Sequence, residues 1–178
     1  MKRSPRHILL AEDDPRDAKL TLAALEADDL PHTVVVVTDG KAALDYLYCR
    51  GTFKARTRGN PIAVLLDLKM PKVDGMEVLK IIKSDRKLKT IPVVVLTSSR
   101  ELQDLYECYQ HGVNAYVVKP VDFAEFAQAI RRLSVFWAAV NEPPLDGGEE
   151  QTELPRGYVC CLGTREVKNE IPNIHPAR

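Results

Sequence analysis

No stretch of the sequence approaches the roughly 18 consecutive apolar residues that a membrane-spanning helix needs. The opening, "MKRSPRHILLAEDD", is basic and then apolar, but its apolar part is too short for a signal peptide and runs straight into acids. The expectation is a cytoplasmic chain with no membrane partner. Net charge is also missing: 25 Lys and Arg balance 25 Asp and Glu. That removes the electrostatic footprint of non-specific nucleic-acid binding, and no direct nucleic-acid partner is expected. There is no C-x-x-C pair among the four cysteines (Cys49, Cys108, Cys160 and Cys161), which argues against zinc. In a cytoplasmic chain these read as plain thiols. The four histidines, at positions 7, 32, 111 and 175, lack ligand spacing and read as structural or surface residues.

What is present is a repeat of short apolar runs and helical patterns. "HILLAE" (7–12), "TVVVVT" (33–38), "IAVLL" (62–66), "PVVVLT" (92–97) and "NAYVVK" (114–119) are rich in Val, Ile and Leu with little alternation. That pattern suits parallel strands buried on both faces. Five helices fit between and after them. The first has Asp14 as N-cap and Pro15 at the first helical position. The second runs near 39–50. The third follows "VDG" and places Val78, Leu79 and Ile82 on one face. The fourth spans about 100–111 and ends at Gly112, a left-handed cap. The fifth starts near Asp122, and its Phe123, Phe126, Ile130, Leu133 and Trp137 recur at helical spacing. Core packing is the reading adopted for that stripe, with a cofactor or partner face as the alternative.

Five such units predict an α/β, doubly wound fold. The sheet would be parallel, with helices on both faces and right-handed crossovers. Residues 1–140 would form this domain. Residues 50–61, "RGTFKARTRGNP", form a polar, basic loop before the third strand. Residues 141–178 open with "NEPPLDGGEEQTELPRG", which reads as a linker. The remaining extension, including "YVCCLG", is too short for an independent output domain. It could be a disordered extension, an arm to a partner subunit or a docking peptide.

Sites in doubly wound sheets lie beyond the carboxyl ends of the strands. The residues at those ends are Glu12, Asp13 and Asp14 after the first strand, Asp67 after the third, Thr97 and Ser98 after the fourth, and Lys119 and Pro120 after the fifth. Carboxylates brought together repel: two unit charges about 4 Å apart cost roughly 4 kcal/mol at an effective dielectric of 20. Lys119 offsets one charge. A hard divalent cation with oxygen ligands offsets two, and Mg²⁺ suits one or two carboxylates together with phosphate oxygens and water. A set of solvated helix caps would account for Asp14 but not for Glu12, Asp13 and Asp67.

The segments "ILLAEDDP", "VLLDLKMPKVDG", "IPVVVLTSS" and "AYVVKP" resemble, in order and spacing, the four signatures of a response-regulator receiver domain, and the resemblance covers about residues 6–138. The basic loop and the ending "DFAEFAQAIRRLSVFW" further resemble the single-domain regulators encoded beside bacterial and cyanobacterial phytochromes. The resemblance implies a two-component phosphorelay protein with a flavodoxin-like, five-stranded parallel sheet in the order 2-1-3-4-5. Asp67 would accept a phosphoryl group from a sensor histidine kinase, with a bacteriophytochrome as the kinase class suggested by the subfamily. Asp13 would bind Mg²⁺ directly, Glu12 through water, and the Lys69 main-chain carbonyl would be a third protein ligand beside Asp67. Thr97 and Lys119 would hold phosphoryl oxygens, the Lys119–Pro120 bond would be cis, and Tyr116 would be the aromatic switch that turns inward as Thr97 moves. Lys69 and Ser99 would tune the lifetime of the acyl phosphate. The chain would be a self-phosphorylating acceptor with slow autodephosphorylation, not a turnover enzyme.

The signal would leave through the face formed by the fourth helix, fifth strand and fifth helix, with Phe136, Trp137 and Val140 in a homodimer interface. Burial of these residues against the chain's own tail is the alternative. A haloacid-dehalogenase-type phosphatase is disfavoured because it needs a second Asp where Lys69 stands. A flavodoxin-like binder would need a Ser/Thr-rich phosphate loop where "EDD" stands. A receiver-shaped module that never takes phosphate is disfavoured by the complete acceptor set.

Overall fold

A computed structural model of the chain describes residues 7–27, 32–57 and 59–142. The expectations for 143–178, including Cys160 and Cys161, lie outside the described residues. Five strands alternate with five helices: β1 His7–Ala11, α1 Pro15–Glu26, β2 Thr33–Val37, α2 Gly40–Leu47, β3 Ala63–Leu66, α3 Gly75–Ser84, β4 Val93–Thr97, α4 Leu102–Gln110, β5 Ala115–Val118 and α5 Phe123–Val135. A π-helical turn, Phe136–Val140, extends α5. All strand pairings are parallel. The sheet order is β2-β1-β3-β4-β5, as expected for the doubly wound fold.

Local chemistry accounts for the helix starts. Asp14, Asp39, Asp74 and Asp122 each take extended backbone and accept a main-chain N–H from the first turn of α1, α2, α3 and α5. Each such cap stabilises a helix by about 1 kcal/mol. Gly112, after α4, has φ +79°, the left-handed geometry that an L side chain resists. No described helix is long and apolar enough to cross a membrane.

Strand alternation divides the core between the two faces of the sheet. Leu9, Ala11, Val64, Leu66, Val93 and Val95 pack with Ala43, Leu47, Val78, Leu79, Ile82 and Cys108 of α2, α3 and α4. Ile8, Leu10, Ala63, Leu65, Val94 and Leu96 pack with Leu25 of α1 and with Phe126, Ile130 and Trp137 of α5 and its π turn. Each fully buried Leu, Ile or Val side chain contributes about 1.5–3 kcal/mol of transfer free energy. Burial pushes the Cys108 thiol up to about 11, so it is a core residue rather than a reactive one. Cys49 is also a free thiol.

Three expectations are corrected. β2 lies at the edge, as the order 2-1-3-4-5 places it, but it is not buried on both faces: Thr33 and Val36 are exposed despite the unbroken valine run. Phe123 stands in the first turn of α5 with 56% of its surface exposed, outside the buried stripe. The Lys119–Pro120 bond is trans, since no described peptide is cis. Trans is the intrinsically preferred form before proline, by about 0.5–1 kcal/mol.

Candidate functional site

The carboxyl ends of β1, β3, β4 and β5 are tied together by their own backbones. The Asp67 N–H donates to the Ala11 carbonyl at 3.0 Å, which sets Asp67 beside Glu12 and Asp13. The Lys119 N–H donates to the Thr97 carbonyl at 2.8 Å, so Lys119 starts from the end of β4. The loop after Asp67 returns tightly. Gly75 N–H donates to the Leu68 carbonyl, and a Cβ at Gly75 would fall on the Asp67 carbonyl oxygen and within 2.7 Å of Leu68 Cα. Lys72, at φ +67°, reaches Asp39 at 2.5 Å and fastens this loop to the start of α2.

The Lys119 ammonium is the centre of the site. Its Nζ donates to Glu12 Oε2 at 2.6 Å, Asp17 Oδ2 at 2.8 Å and Asp67 Oδ2 at 3.0 Å. Burial opposes its charge, but the hydrogen bonds to Asp17 and Glu12 and the charges of Glu12 and Asp67 outweigh that, so Lys119 is held well above the ordinary lysine range. Glu12 is 1% exposed. Burial pushes its carboxyl up to about 7, although Lys119 pulls the other way. Burial dominates because one ammonium is shared among three carboxylates.

Glu12, Asp13 and Asp67 each offer a carboxylate oxygen, and these oxygens lie within 4.8 Å of one another. Asp13 is exposed and Asp67 is 8% exposed. This all-oxygen donor set, short of positive charge and open on the Asp13 side, fits a hard divalent cation. The Lys69 N–H donates to Asp67 Oδ1 at 3.3 Å, leaving that carboxylate engaged at both oxygens.

Thr97 is fully buried, and its hydroxyl oxygen accepts the Ser99 N–H at 3.1 Å; among the described residues it has no hydrogen bond to Asp67. Ser99 Oγ donates to Asp104 Oδ2 at 2.6 Å, and the Tyr116 hydroxyl donates to the Ser99 carbonyl at 3.3 Å. Ser99 thus links Thr97 to the half-buried Tyr116, whose hydroxyl burial holds above the usual tyrosine range. Of the three residues expected at an interface, Phe136 (46%) and Val140 (65%) are exposed. Trp137 is not: it is 9% exposed in the core and meets the Phe136 ring edge-on at 4.9 Å. Adjacent positions in one helical turn point to different sides, so both could not face outward.

Sequence reasoning missed Asp17 and Asp104. Asp17 could have been noticed as an acid in the first turn of α1, directly above the strand-end acids. Its contact with Lys119 spans 102 positions of the chain and has no local signature.

An acidic crevice around one partly buried lysine, at the carboxyl edge of a 2-1-3-4-5 parallel sheet, defines the receiver type of signalling domain. The model of the response regulator receiver domain matches residues 8–131, and the chain belongs to that family. Among curated relatives, the probable methanogenesis regulatory protein FilR2 of Methanothrix harundinacea is 41% identical over 79% of this chain and 88% of its own length. Response regulator Rcp1 of Synechocystis sp. is 37% identical over 75% and 89%. Among solved structures, the bacteriophytochrome response regulator AtBRR is 57% identical, with TM-score 0.64 over 78% of this chain and 99% of that one. The Mn²⁺-bound form of Rcp1 (36% identical) and the phosphorylated cyanobacterial phytochrome response regulator RcpA (39% identical) each give TM-score 0.74 over 79% and 99%. The chain is therefore a response regulator similar to phytochrome-associated regulators.

Proposed function

We propose that Asp67 accepts a phosphoryl group from a phosphohistidine on a sensor histidine kinase, and that the resulting acyl phosphate changes the surface formed by α4, β5 and α5. The observation that carries this is the placement of Asp67: its carboxylate is anchored by Lys119 and the Lys69 amide, beside Glu12 and Asp13. A carboxylate oxygen of Asp67 would attack phosphorus as the P–N bond to the kinase histidine breaks, with the electron pair leaving on the imidazole. Water would later attack phosphorus, regenerating the carboxylate and releasing inorganic phosphate. Lys119 would stabilise charge on the equatorial oxygens, and Thr97 would turn from Ser99 to a phosphoryl oxygen. That turn would free Ser99 and the Tyr116 hydroxyl bonded to it.

Mg²⁺ is the cation this reading assigns, held by Asp13, Asp67 and the Lys69 carbonyl, with Glu12 acting through water; when bound it neutralises negative charge on the transferring group. The chain would serve as an acceptor rather than a turnover enzyme. It would act in the cytoplasm as a receiver of residues 1–140 with the extension 141–178. The names of AtBRR and RcpA favour a phytochrome-type kinase as the donor.

Intact-mass measurement after incubation with a small acyl phosphodonor and Mg²⁺ tests the acceptor. A phosphate-sized increase that disappears in Asp67→Asn supports it, and no increase in the wild type refutes it. Homodimerisation through the α4–β5–α5 face rests on exposed Phe136 and Val140 at the end of α5 and on exposed Leu102 and Tyr106 of α4. Sedimentation of the chain truncated after Val140 tests this: a dimer that never forms, or that needs the tail, refutes the helix-face interface.

A further inference from the structure

We propose that Asp17 is a positioning residue that holds the Lys119 ammonium while Asp67 is unphosphorylated and gives it up when a phosphoryl group arrives. This rests on Asp67 being the acceptor. An ammonium has three N–H donors. All three are taken by carboxylates: Glu12 at 2.6 Å, Asp17 at 2.8 Å and Asp67 at 3.0 Å. A phosphoryl oxygen can be bound by Lys119 only if one of these bonds is released.

The three partners are not equally easy to release. Glu12 is 1% exposed, so abandoning it would leave a buried carboxyl oxygen without its hydrogen-bond partner. Asp67 is the group being modified. Asp17 has 37% of its side chain exposed, and water can replace the lysine there. It stands on α1 rather than on a strand-end loop, so its release disturbs none of the backbone bonds that assemble the site. Asp17 also adds a negative charge near an anionic donor. Both effects make it a restraint on phosphoryl transfer: it keeps the ammonium turned toward α1 and raises the electrostatic cost of the donor's approach.

Two measurements on the full chain test this. The first follows the Lys119 ammonium by ¹⁵N–¹H NMR in unphosphorylated, EDTA-treated protein, with the signal assigned by its loss in Lys119→Arg. Asp17→Asn is expected to speed ammonium proton exchange about three- to tenfold, the range for losing one charge-assisted bond at a partly exposed site. Asp17→Glu, which keeps the charge, is expected to restore slow exchange. The second measures the rate of phosphorylation by acetyl phosphate with Mg²⁺. Asp17→Asn is expected to react about three- to tenfold faster than wild type, with Asp17→Glu close to wild type. Unchanged ammonium exchange in Asp17→Asn overturns the proposal whatever the phosphorylation rate. Faster exchange with an equal or slower phosphorylation rate overturns the restraining role. A wild-type chain that takes no phosphoryl group overturns both this inference and the acceptor reading. The NMR result alone cannot fail for that reason, so the two failures are distinguishable.

Discussion

Glu12 should make the cation-free protein lose stability as pH rises, the reverse of what most carboxylates do. Its carboxyl is raised from 4.5 to about 7 by burial. Between those values the folded chain binds more protons at Glu12 than the unfolded chain does. The stabilisation is therefore fully present below pH 4.5 and is lost as pH rises through 7. The full shift would correspond to about 3 kcal/mol; with screening by residual solvent the expected loss between pH 5 and 7.5 is about 2 kcal/mol. Asp14, Asp39 and Asp85 are all lowered, chiefly by hydrogen bonds (from main-chain amides to Asp14 and Asp85, from Lys72 to Asp39), and their contributions are lost only in acid below this window. His32 is lowered by burial and adds a slope of the opposite sign. Comparison with Glu12→Gln, an uncharged isostere, removes these background terms. The assay is urea unfolding of both proteins from pH 5 to 7.5, in EDTA and in saturating Mg²⁺. In EDTA the wild type should fall relative to Glu12→Gln by about 2 kcal/mol. Saturating Mg²⁺ should shrink that fall, because a cation favours the ionised carboxylate. A difference that stays flat or rises with pH in EDTA would refute the burial argument for Glu12.

Gly75→Ala places a methyl group against the Asp67 carbonyl and Leu68 Cα, which are backbone atoms that cannot step aside. It should lower stability by about 3 kcal/mol in urea unfolding, and a wild-type midpoint would contradict the close approach. Trp137→Ala should cost about 3–5 kcal/mol and Phe136→Ala under about 1 kcal/mol, since the former empties a core position and the latter trims a half-exposed ring. Equal losses from calorimetry of the two variants would place them on the same side of the helix. Lys119→Ala should still bind Mg²⁺ but fail to shift the Tyr116 ring resonances on addition of phosphodonor. A shift like that of the wild type would remove Lys119 from the switch.

The features legible in the sequence are those encoded within a few positions. Asp14, Asp39, Asp74 and Asp122 stand where capping needs a short carboxylate next to helical residues, and the structure uses each in that way. Gly112 stands where a left-handed residue ends α4. The strand-end set Glu12, Asp13, Asp67 and Lys119 could be assembled in advance because parallel crossovers put every strand's carboxyl end on one edge. The order of strands was harder to exploit. Five Val- and Ile-rich runs look alike, yet β2 lies at an edge with Val36 exposed, while β3 and β4 are covered on both faces.

The order of residues alone specifies the doubly wound fold, the helix starts, and the identities of the acids and the lysine at the strand ends. These follow from periodicity and from interactions between near neighbours in the chain. The folded arrangement adds that Lys119 serves Asp17 as well as Glu12 and Asp67, that Gly75 lies against the Asp67 backbone, and that Trp137 faces inward while Phe136 faces out. Such contacts join positions far apart in the chain, or depend on how a helix is rotated against the sheet. They are chosen by packing and by the sharing of charge in a space with little water, and neither has a short-range signature in the order of residues.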